Sequence, residues 1–405
     1  MRKKSKLRIV LLEAIHPGAK STLESAGYEV ELLPDSPSGA ALDAALASAN
    51  VVGIRSKTQL TADVLKRHPQ IELIGCFCIG TDQVDTKRAG VLGVPVFNAP
   101  HSNTRSVAEL VIAEIVALSR QLGDRNTNAH KGVWTKSADG AHEVRGKTLG
   151  IVGYGHIGSQ VSVLAEAFGM KVLFYDVVKK LPLGNSQAAK KLSELLKASD
   201  FVSLHVPDTN QTKGMIGEKE IGAMKDGAAL INASRGTVVD IDVLAKAIKS
   251  GALSGAAIDV FPDEPANNKQ KFVSPLQGLP NVILTPHIGG STLEAQESIG
   301  LEVAQSFISF LTRGTTTGSV NFPTIDLAMV HDGAHRIVNV HKNVPGVLGE
   351  INSIISEHGA NILAQGLATD SSVGYLITDV SGAKGDQLVA DISNLKTSLR
   401  TRLLI

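Results

Sequence analysis

The sequence predicts an α/β protein built from two doubly wound parallel-sheet domains followed by a small βαββαβ domain. Three observations carry this. Short apolar runs alternate with helix-like spacing over the first hundred residues; the alternation restarts near residue 103 and continues to about 290; and a different order fills the stretch from His335 to Ile405. Strands alternating with helices build a mostly parallel sheet covered on both faces. The order βαββαβ builds a small sheet with two helices on one face. A chain of 405 residues is also too long for one ordinary core.

In the first cycle the strand candidates are Arg8 to Leu12, Tyr28 to Leu33, Val51 to Arg55, Ile71 to Cys78 and Val94 to Phe97, with helix spacing over Gly18 to Gly27, Gly39 to Ala49 and Thr61 to His68. The polar Met1 to Lys6 reads as a tail rather than a signal peptide, because Arg8 and Glu13 interrupt the apolar run and no small-residue cleavage site follows. The second cycle opens with a long helix, Thr104 to Leu122, and the strand Thr148 to Val152. Strands then follow at Lys171 to Tyr175, Phe201 to His205, Ala228 to Asn232, Gly255 to Asp259 and Val282 to Thr285. Glu294 to Leu311 is strongly helical, and Thr312 to Ser319 breaks the periodicity and reads as a linker. Strands His335 to His341, Asn361 to Ala368, Gly374 to Val380 and Leu399 to Ile405, with helices Pro345 to His358 and Asp386 to Leu395, complete the chain.

Composition narrows the function classes. Lys+Arg number 40 against Asp+Glu 39, so the chain has no basic excess for neutralising nucleic-acid phosphates. No apolar run is long enough to cross a bilayer. Cys76 and Cys78 lie two apart in a strand candidate, poorly placed for a disulfide and without further cysteines for a metal site. They read as core thiols in a reducing compartment, which places the expected location in the cytoplasm.

Gly153-Tyr-Gly-His-Ile-Gly158 matches G-x-G-x-x-G between a strand run and an amphipathic pattern. Gly153 would form the tight turn, Gly155 would admit a pyrophosphate, and Gly158 would allow close helix packing; the phosphates would meet the helix N-terminus. Asp176 ends the next strand, where a carboxylate accepts ribose hydroxyls and repels the extra phosphate of NADP. NAD is the expected cofactor, although Lys179 and Lys180 lie near enough to blur the preference. The alternative is a strand-to-helix turn with no ligand.

Arg235, Glu264 and His287 each follow a strand end, where ligands bind in open α/β sheets. Removal of a hydride from an alcohol carbon needs a base for the hydroxyl proton, and histidine suits that near neutrality. Glu264 would bond the other ring nitrogen, and Arg235 would fork onto the substrate carboxylate. Singly, a solvated arginine, a loop-capping glutamate and a core histidine are equally ordinary readings. Ile54-Arg-Ser-Lys-Thr58 places two cations and two hydroxyls after a strand, a cradle for an anion that Ser102 and Asn103 would complete with hydrogen bonds.

Gly153 to Gly158, Leu230 to Asp240, Ala257 to Pro265 and Leu284 to Thr292 together resemble the D-isomer-specific 2-hydroxyacid dehydrogenases, and the resemblance spans essentially the whole chain. Within that family it is similar to members that act on 3-phosphoglycerate at the start of L-serine biosynthesis and carry a C-terminal ACT domain. The resemblance implies that Arg235, Glu264 and His287 are catalytic. It implies a Rossmann NAD-binding domain over 103–290, with His156, Ile157, Asp176, Ala233, Ser234, Arg235, Asp259, His287, Ile288, Gly289 and Gly290 lining the NAD site. It further implies a flavodoxin-like substrate-binding domain over 1–102 continued at 291–330, an ACT domain over 331–405, and an active site in the cleft between the first two. Arg55, Ser56, Lys57, Asn103 and Lys136 match positions that handle substrate anions, against the ordinary reading of surface cations. Asp82 departs from those members acting on 3-phosphoglycerate, which more often have Asn there. Asn339 to Leu348 and Gly359 to Ile362 are similar to serine-inhibited members, implying L-serine as effector at His341, Asn343 and Asn361, and a homotetramer. The alternatives are a purely oligomerising ACT domain, another reductase acting on glyoxylate, hydroxypyruvate or 2-oxoglutarate, and a non-enzymatic NAD-sensing corepressor.

Overall fold

Branched residues crowd the first strands, and the strands are buried on both faces, as a sheet covered by helices requires: Val51–Ile54 and Leu73–Cys76 are buried at every position. The computed structural model describes residues 7–265, 269–328, 333–382 and 384–404. The polar stretch 1–6, the boundary near residue 330 and the final Ile405 lie outside the described residues.

In chain order the first elements are β1 (Arg8–Leu11), α1 (Pro17–Ser25), β2 (Glu29–Leu32), α2 (Gly39–Leu46), β3 (Val51–Ile54), α3 (Ala62–Arg67), β4 (Leu73–Cys76), α4 (Thr86–Val91) and β5 (Val96–Asn98). Next come α5 (Thr104–Ser119), α6 (Leu122–His130), β6 (Thr148–Val152), α7 (His156–Ala167), β7 (Lys171–Tyr175), β8 (Gln187–Ala188), α8 (Leu192–Ala198), β9 (Phe201–Leu204) and α9 (Glu218–Gly222). Then follow β10 (Ala228–Asn232), α10 (Ile241–Lys249), β11 (Leu253–Ile258), β12 (Val282–Leu284) and α11 (Leu293–Arg313). The chain closes with β13 (His335–Lys342), α12 (Val347–Glu357), β14 (Asn361–Thr369), β15 (Val373–Ser381), α13 (Gly385–Ser393) and β16 (Ser398–Leu403).

Contacts divide the chain into two units, one of residues 1–102 with 296–405 and one of residues 103–295. In the first unit a parallel sheet runs β2-β1-β3-β4-β5, the flavodoxin-like order. Helix α11 packs on it because the strand beneath is small: a Cβ on Gly75 would meet the Phe307 ring at 2.5 Å. Phe77 and Phe97 lie against Phe307 and Phe310, each pair with ring centroids 5.9 Å apart.

The C-terminal antiparallel sheet runs β14-β15-β13-β16, the expected βαββαβ arrangement. Its strands alternate in what they face. Ile337, Leu376 and Val380 pack under α12 and α13, while Val338, Val340, Tyr375 and Ile377 share the core of Phe307 and Phe310. Arg336, fully buried, forks onto both oxygens of Asp379 at 2.7 Å and donates to the Arg313 carbonyl at the end of α11.

One reading of the sequence needs refinement and one needs correction. The segment 312–319, read as a linker, leaves the regular elements after Arg313 but is well bonded: Thr316 is buried, its hydroxyl donates to the Pro323 carbonyl, and Ser319 and Val320 donate to the Val96 carbonyl. Its threonines and serines hydrogen-bond the loop's own backbone and the edge of β5, which satisfies a chain that makes no regular element. The long helix from Thr104 also stops at Ser119, because Gln121 takes φ 49° and α6 starts anew. Polar residues dominate α6, which buries none of them.

The second unit holds a parallel sheet ordered β12-β11-β10-β9-β6-β7-β8, the doubly wound Rossmann pattern. Helices α5 and α7 cover one face through Val111, Ile115, Val161 and Ala165. The other face is covered by α8, α9 and α10 through Leu195, Ile221, Leu244 and Ile248. No helix among the described residues is long and apolar enough to cross a membrane.

Candidate active site

The glycines between β6 and α7 differ in what surrounds them. Gly153 has φ 92°, and a Cβ there would lie 2.2 Å from the His205 carbonyl oxygen; one on Gly158 would lie 2.2 Å from that of Gly153. Both positions therefore exclude side chains for packing reasons. At Gly155, the N-cap of α7, a Cβ would meet nothing within 4 Å, and no side chain caps the helix. Open space in front of uncapped helix amides suits a pyrophosphate. His156 and Ile157 form the first turn of that helix. Asp176, just past β7, accepts from the Tyr154 amide and the Val178 amide at 2.8 Å each. Those bonds fix the carboxylate beside the glycine turn and leave each oxygen a second lone pair for a ribose hydroxyl. The residues present fit a bound dinucleotide.

Strands β10, β11 and β12 are neighbours, so the loops that leave their carboxyl ends are neighbours as well. Nδ1 of His287 lies 2.8 Å from Oε2 of Glu264, whose other oxygen accepts from the Phe261 amide at 3.1 Å. Ala233, Ser234 and Arg235 follow β10; the Ser234 hydroxyl donates to Asn232, and Arg235 Nη1 donates to the Ser234 carbonyl at 2.7 Å. The Glu264 hydrogen bond raises the His287 pKa; partial desolvation and the Arg235 charge oppose this, while the charges of Glu264 and Asp259 add to it. For Glu264, partial burial would raise the carboxyl, but the bonds from His287 and Phe261 and the His287 and Arg235 charges together hold it below its ordinary value.

Asp259 is almost fully buried and is committed to the loop that carries the histidine. It accepts from the Thr285 hydroxyl at 2.6 Å, the Ile288 amide at 2.7 Å and the Gly289 amide at 2.8 Å. Its carbonyl accepts from the His287 amide, and His287 itself takes φ 55°. A left-handed backbone at a non-glycine residue costs energy and persists only where surrounding bonds over-determine it. Here those bonds come from Asp259. Gly290 completes the loop against Asn103: a Cβ on Gly290 would lie 2.4 Å from Asn103 Nδ2.

The residues expected to hold substrate fall in both units. Arg55, Ser56 and Lys57 form a loop after β3 in the first unit. Asn103 precedes α5 in the second, and its Oδ1 is buried without a partner among the described residues. Ser102 bonds the Glu302 carboxylate instead of remaining available to an anion. Lys136 lies on the exposed arm after α6, lining a cavity of about 300 Å³ with Arg125, Asn128 and Trp134. Asp82 is exposed two residues after Gly80.

The expected effector residues do not converge within one chain. His341 pairs with Gly374 at one end of β15, and Asn361 pairs with Ser381 at the other. Seven residues of strand span roughly 23 Å. His341 is buried with Nε2 unpartnered among the described residues, while Asn343 donates to the Asp370 carbonyl at 2.6 Å.

Buried acids that escaped the sequence reading include Glu13 and Glu114. Glu13, noted only as a charge interrupting an apolar run, bonds the loop of Arg55. Glu114 sits on the inner face of α5; burial first, and the Asp259 charge second, push its carboxyl up to about 8. Its position in a helical apolar stripe was the available signal: a glutamate flanked by Val111, Ile115 and Leu118 has no route to solvent.

Comparison with known proteins places these features in context. Residues 112–289 match the family described as D-isomer specific 2-hydroxyacid dehydrogenase, NAD binding domain, and residues 337–400 match the AHAS small subunit-like ACT domain. The chain is 50% identical over 402 residues to the D-3-phosphoglycerate dehydrogenase of Haemophilus influenzae, covering 99% of this chain and 98% of that protein. It is 52% identical over 401 residues to the D-3-phosphoglycerate dehydrogenase of Dictyostelium discoideum, covering 99% and 98%. Among solved structures, the D-lactate dehydrogenase of Aquifex aeolicus, complexed with NAD and lactic acid, matches at a TM-score of 0.68 and 32% identity, over 78% of this chain and 100% of that one.

Proposed function

The chain belongs to the D-isomer-specific 2-hydroxyacid dehydrogenases and is an NAD-dependent dehydrogenase, and from that premise we propose that it oxidises 3-phosphoglycerate to 3-phosphohydroxypyruvate. The observation that carries the reading is the 2.8 Å bond between His287 Nδ1 and Glu264. With Nδ1 donating to the carboxylate, Nε2 is left as the acceptor for the substrate hydroxyl proton. Glu264 then stabilises the imidazolium that forms. Arg235 grips the substrate carboxylate and polarises the new carbonyl. Arg55, Ser56 and Lys57, with Asn103 and Lys136, bind the anionic ends of the substrate. NAD, when bound, accepts the hydride. Gly155 and the α7 amides hold its pyrophosphate, Asp176 its ribose, and residues 233–235 and 287–290 line its nicotinamide half.

Full-length similarity to enzymes named for 3-phosphoglycerate supports this substrate. Turnover of 2-oxoglutarate as a side activity is part of the same proposal and rests on the shared 2-oxoacid chemistry of the site. The ACT domain takes L-serine as a feedback inhibitor in a cytoplasmic homotetramer. Because Asn361 lies at the far end of β15 from His341 and Asn343, a serine site using all three needs residues from two copies. The edge position of β14 suits such pairing.

The test is NADH oxidation with 3-phosphohydroxypyruvate, 2-oxoglutarate and hydroxypyruvate, each with and without millimolar L-serine. Strong preference for the phosphorylated acid with serine inhibition is expected. Turnover of only unphosphorylated acids would overturn the substrate, unchanged rates in serine would remove the regulation, and NADH binding without turnover would point to a corepressor.

A further inference from the structure

We infer that Glu13 is a positioning residue for the anion-binding loop Arg55-Ser-Lys57, an inference that rests on the reading of that loop given above. Glu13 follows β1 and is almost fully buried. Its carboxylate reaches across to the end of β3 and accepts from three amides of the next loop: Arg55 at 3.1 Å, Lys57 at 3.0 Å and Thr58 at 2.8 Å. The Ser56 amide, at the exposed tip, is not among them.

The chain accepts backbone strain to place this carboxylate. Glu13 and Ala14 take φ 65° and 47°, successive left-handed positions held by bonds from their amides to the carbonyls of Asp35 and Leu33. Two consecutive non-glycine residues in that region are costly, and such strain is kept where the fold over-determines it. The loop is also held from the opposite side: Gln83 Nε2 donates to the Arg55 carbonyl at 2.6 Å, and the Gln83 carbonyl accepts from Leu60 at 2.8 Å.

A loop whose amides converge on a buried carboxylate is held to one backbone course, with Ser56 and Lys57 exposed. Without the carboxylate, three buried or half-buried amides would lose their acceptor and the loop would sample others. Arg55 and Lys57 would then meet a phosphate or carboxylate only after ordering, which weakens binding without touching the chemistry. Glu13 thus acts on substrate affinity through the loop, and its own charge is spent on the amides.

The experiment compares Glu13→Gln and Glu13→Ala with Arg55→Ala and Lys57→Ala in the full chain. KM and kcat for 3-phosphohydroxypyruvate, NADH affinity and Tm are read for each. Glu13→Gln keeps shape and folding while losing the charge and one acceptor; it is expected to raise KM about tenfold while kcat and NADH affinity hold. An unchanged KM, or KM, kcat and NADH affinity failing together, overturns the inference. If Arg55→Ala and Lys57→Ala raise KM and Glu13→Gln does not, only the role of Glu13 falls. If none of the four raises KM, the loop is not a binding loop, and the reading beneath the inference falls with it.

Discussion

Glu264 Oε2 and His287 Nδ1 stand 2.8 Å apart, joined across loops that leave β11 and β12. Each stabilises the charged form of the other: Glu264 raises the histidine pKa and His287 lowers that of the glutamate.

This coupling has a sign in the kinetics. With His287 as the proposed base, oxidation needs its neutral form, so kcat/KM is expected to rise with pH through a midpoint above the ordinary 6.5. Reduction needs the imidazolium and declines with pH across the same interval. Glu264→Gln removes the chief cause of the raised pKa, so the oxidation limb moves to lower pH while kcat falls about 10²-fold. Profiles of kcat/KM in both directions check this; an unshifted midpoint in the variant excludes Glu264 as the group that tunes His287.

Asp259 carries a second prediction. Three donors converge on its buried carboxylate, and Asn would turn an amide donor toward some of them. Asp259→Asn is expected to lose more than about tenfold in kcat and to lower stability by about 1–3 kcal/mol. Turnover with 3-phosphohydroxypyruvate and urea unfolding measure the two effects. Wild-type kcat in a stable variant would show that the φ 55° backbone of His287 does not depend on this residue.

Two glycines of one motif should respond differently. Gly155→Ala places a methyl in open space, so Tm should hold while NADH affinity drops about tenfold or more if the pyrophosphate approaches there as proposed. Gly158→Ala forces a methyl to 2.2 Å from a backbone carbonyl, so Tm itself should fall. Calorimetry beside NADH titration separates them, and a Gly155→Ala protein with undiminished NADH affinity would contradict the placement of the cofactor.

Periodicity exposed both parallel sheets and the βαββαβ tail because buried parallel strands read as continuous apolar runs. The proposed catalytic residues could be placed for a related reason: Arg235, Glu264 and His287 each follow a strand whose end could be located. What escaped was what only long-range packing defines. Nothing near Glu13 in sequence announces that it serves a loop more than forty residues later. The bonding within the linker 312–319 was not legible because it comes from hydroxyls reaching Pro323 and Val96. The separation of Asn361 from His341 needed the strand register of β15.

Glu114 supplies the last prediction, one of stability rather than rate. Both carboxyl oxygens are buried without hydrogen-bond partners among the described residues, and burial with the nearby Asp259 charge raises the pKa from 4.5 to about 8. The folded protein therefore keeps a proton on Glu114 at neutral pH, while the unfolded chain releases it above the ordinary carboxylate value. Folding binds a proton in that window, so the contribution of Glu114 to stability is undiminished below pH 4.5, declines as pH rises towards about 8, and is constant beyond. The decline amounts to a few kcal/mol, on the order of 1.4 kcal/mol for each pH unit crossed. Glu114→Gln preserves shape and removes the titration. Its advantage over wild type in urea unfolding should therefore be small at pH 5 and grow steadily to pH 8. A difference that stays constant across that range would mean Glu114 is already ionised in the folded protein, with its charge balanced by buried water or by a partner nearer than Asp259.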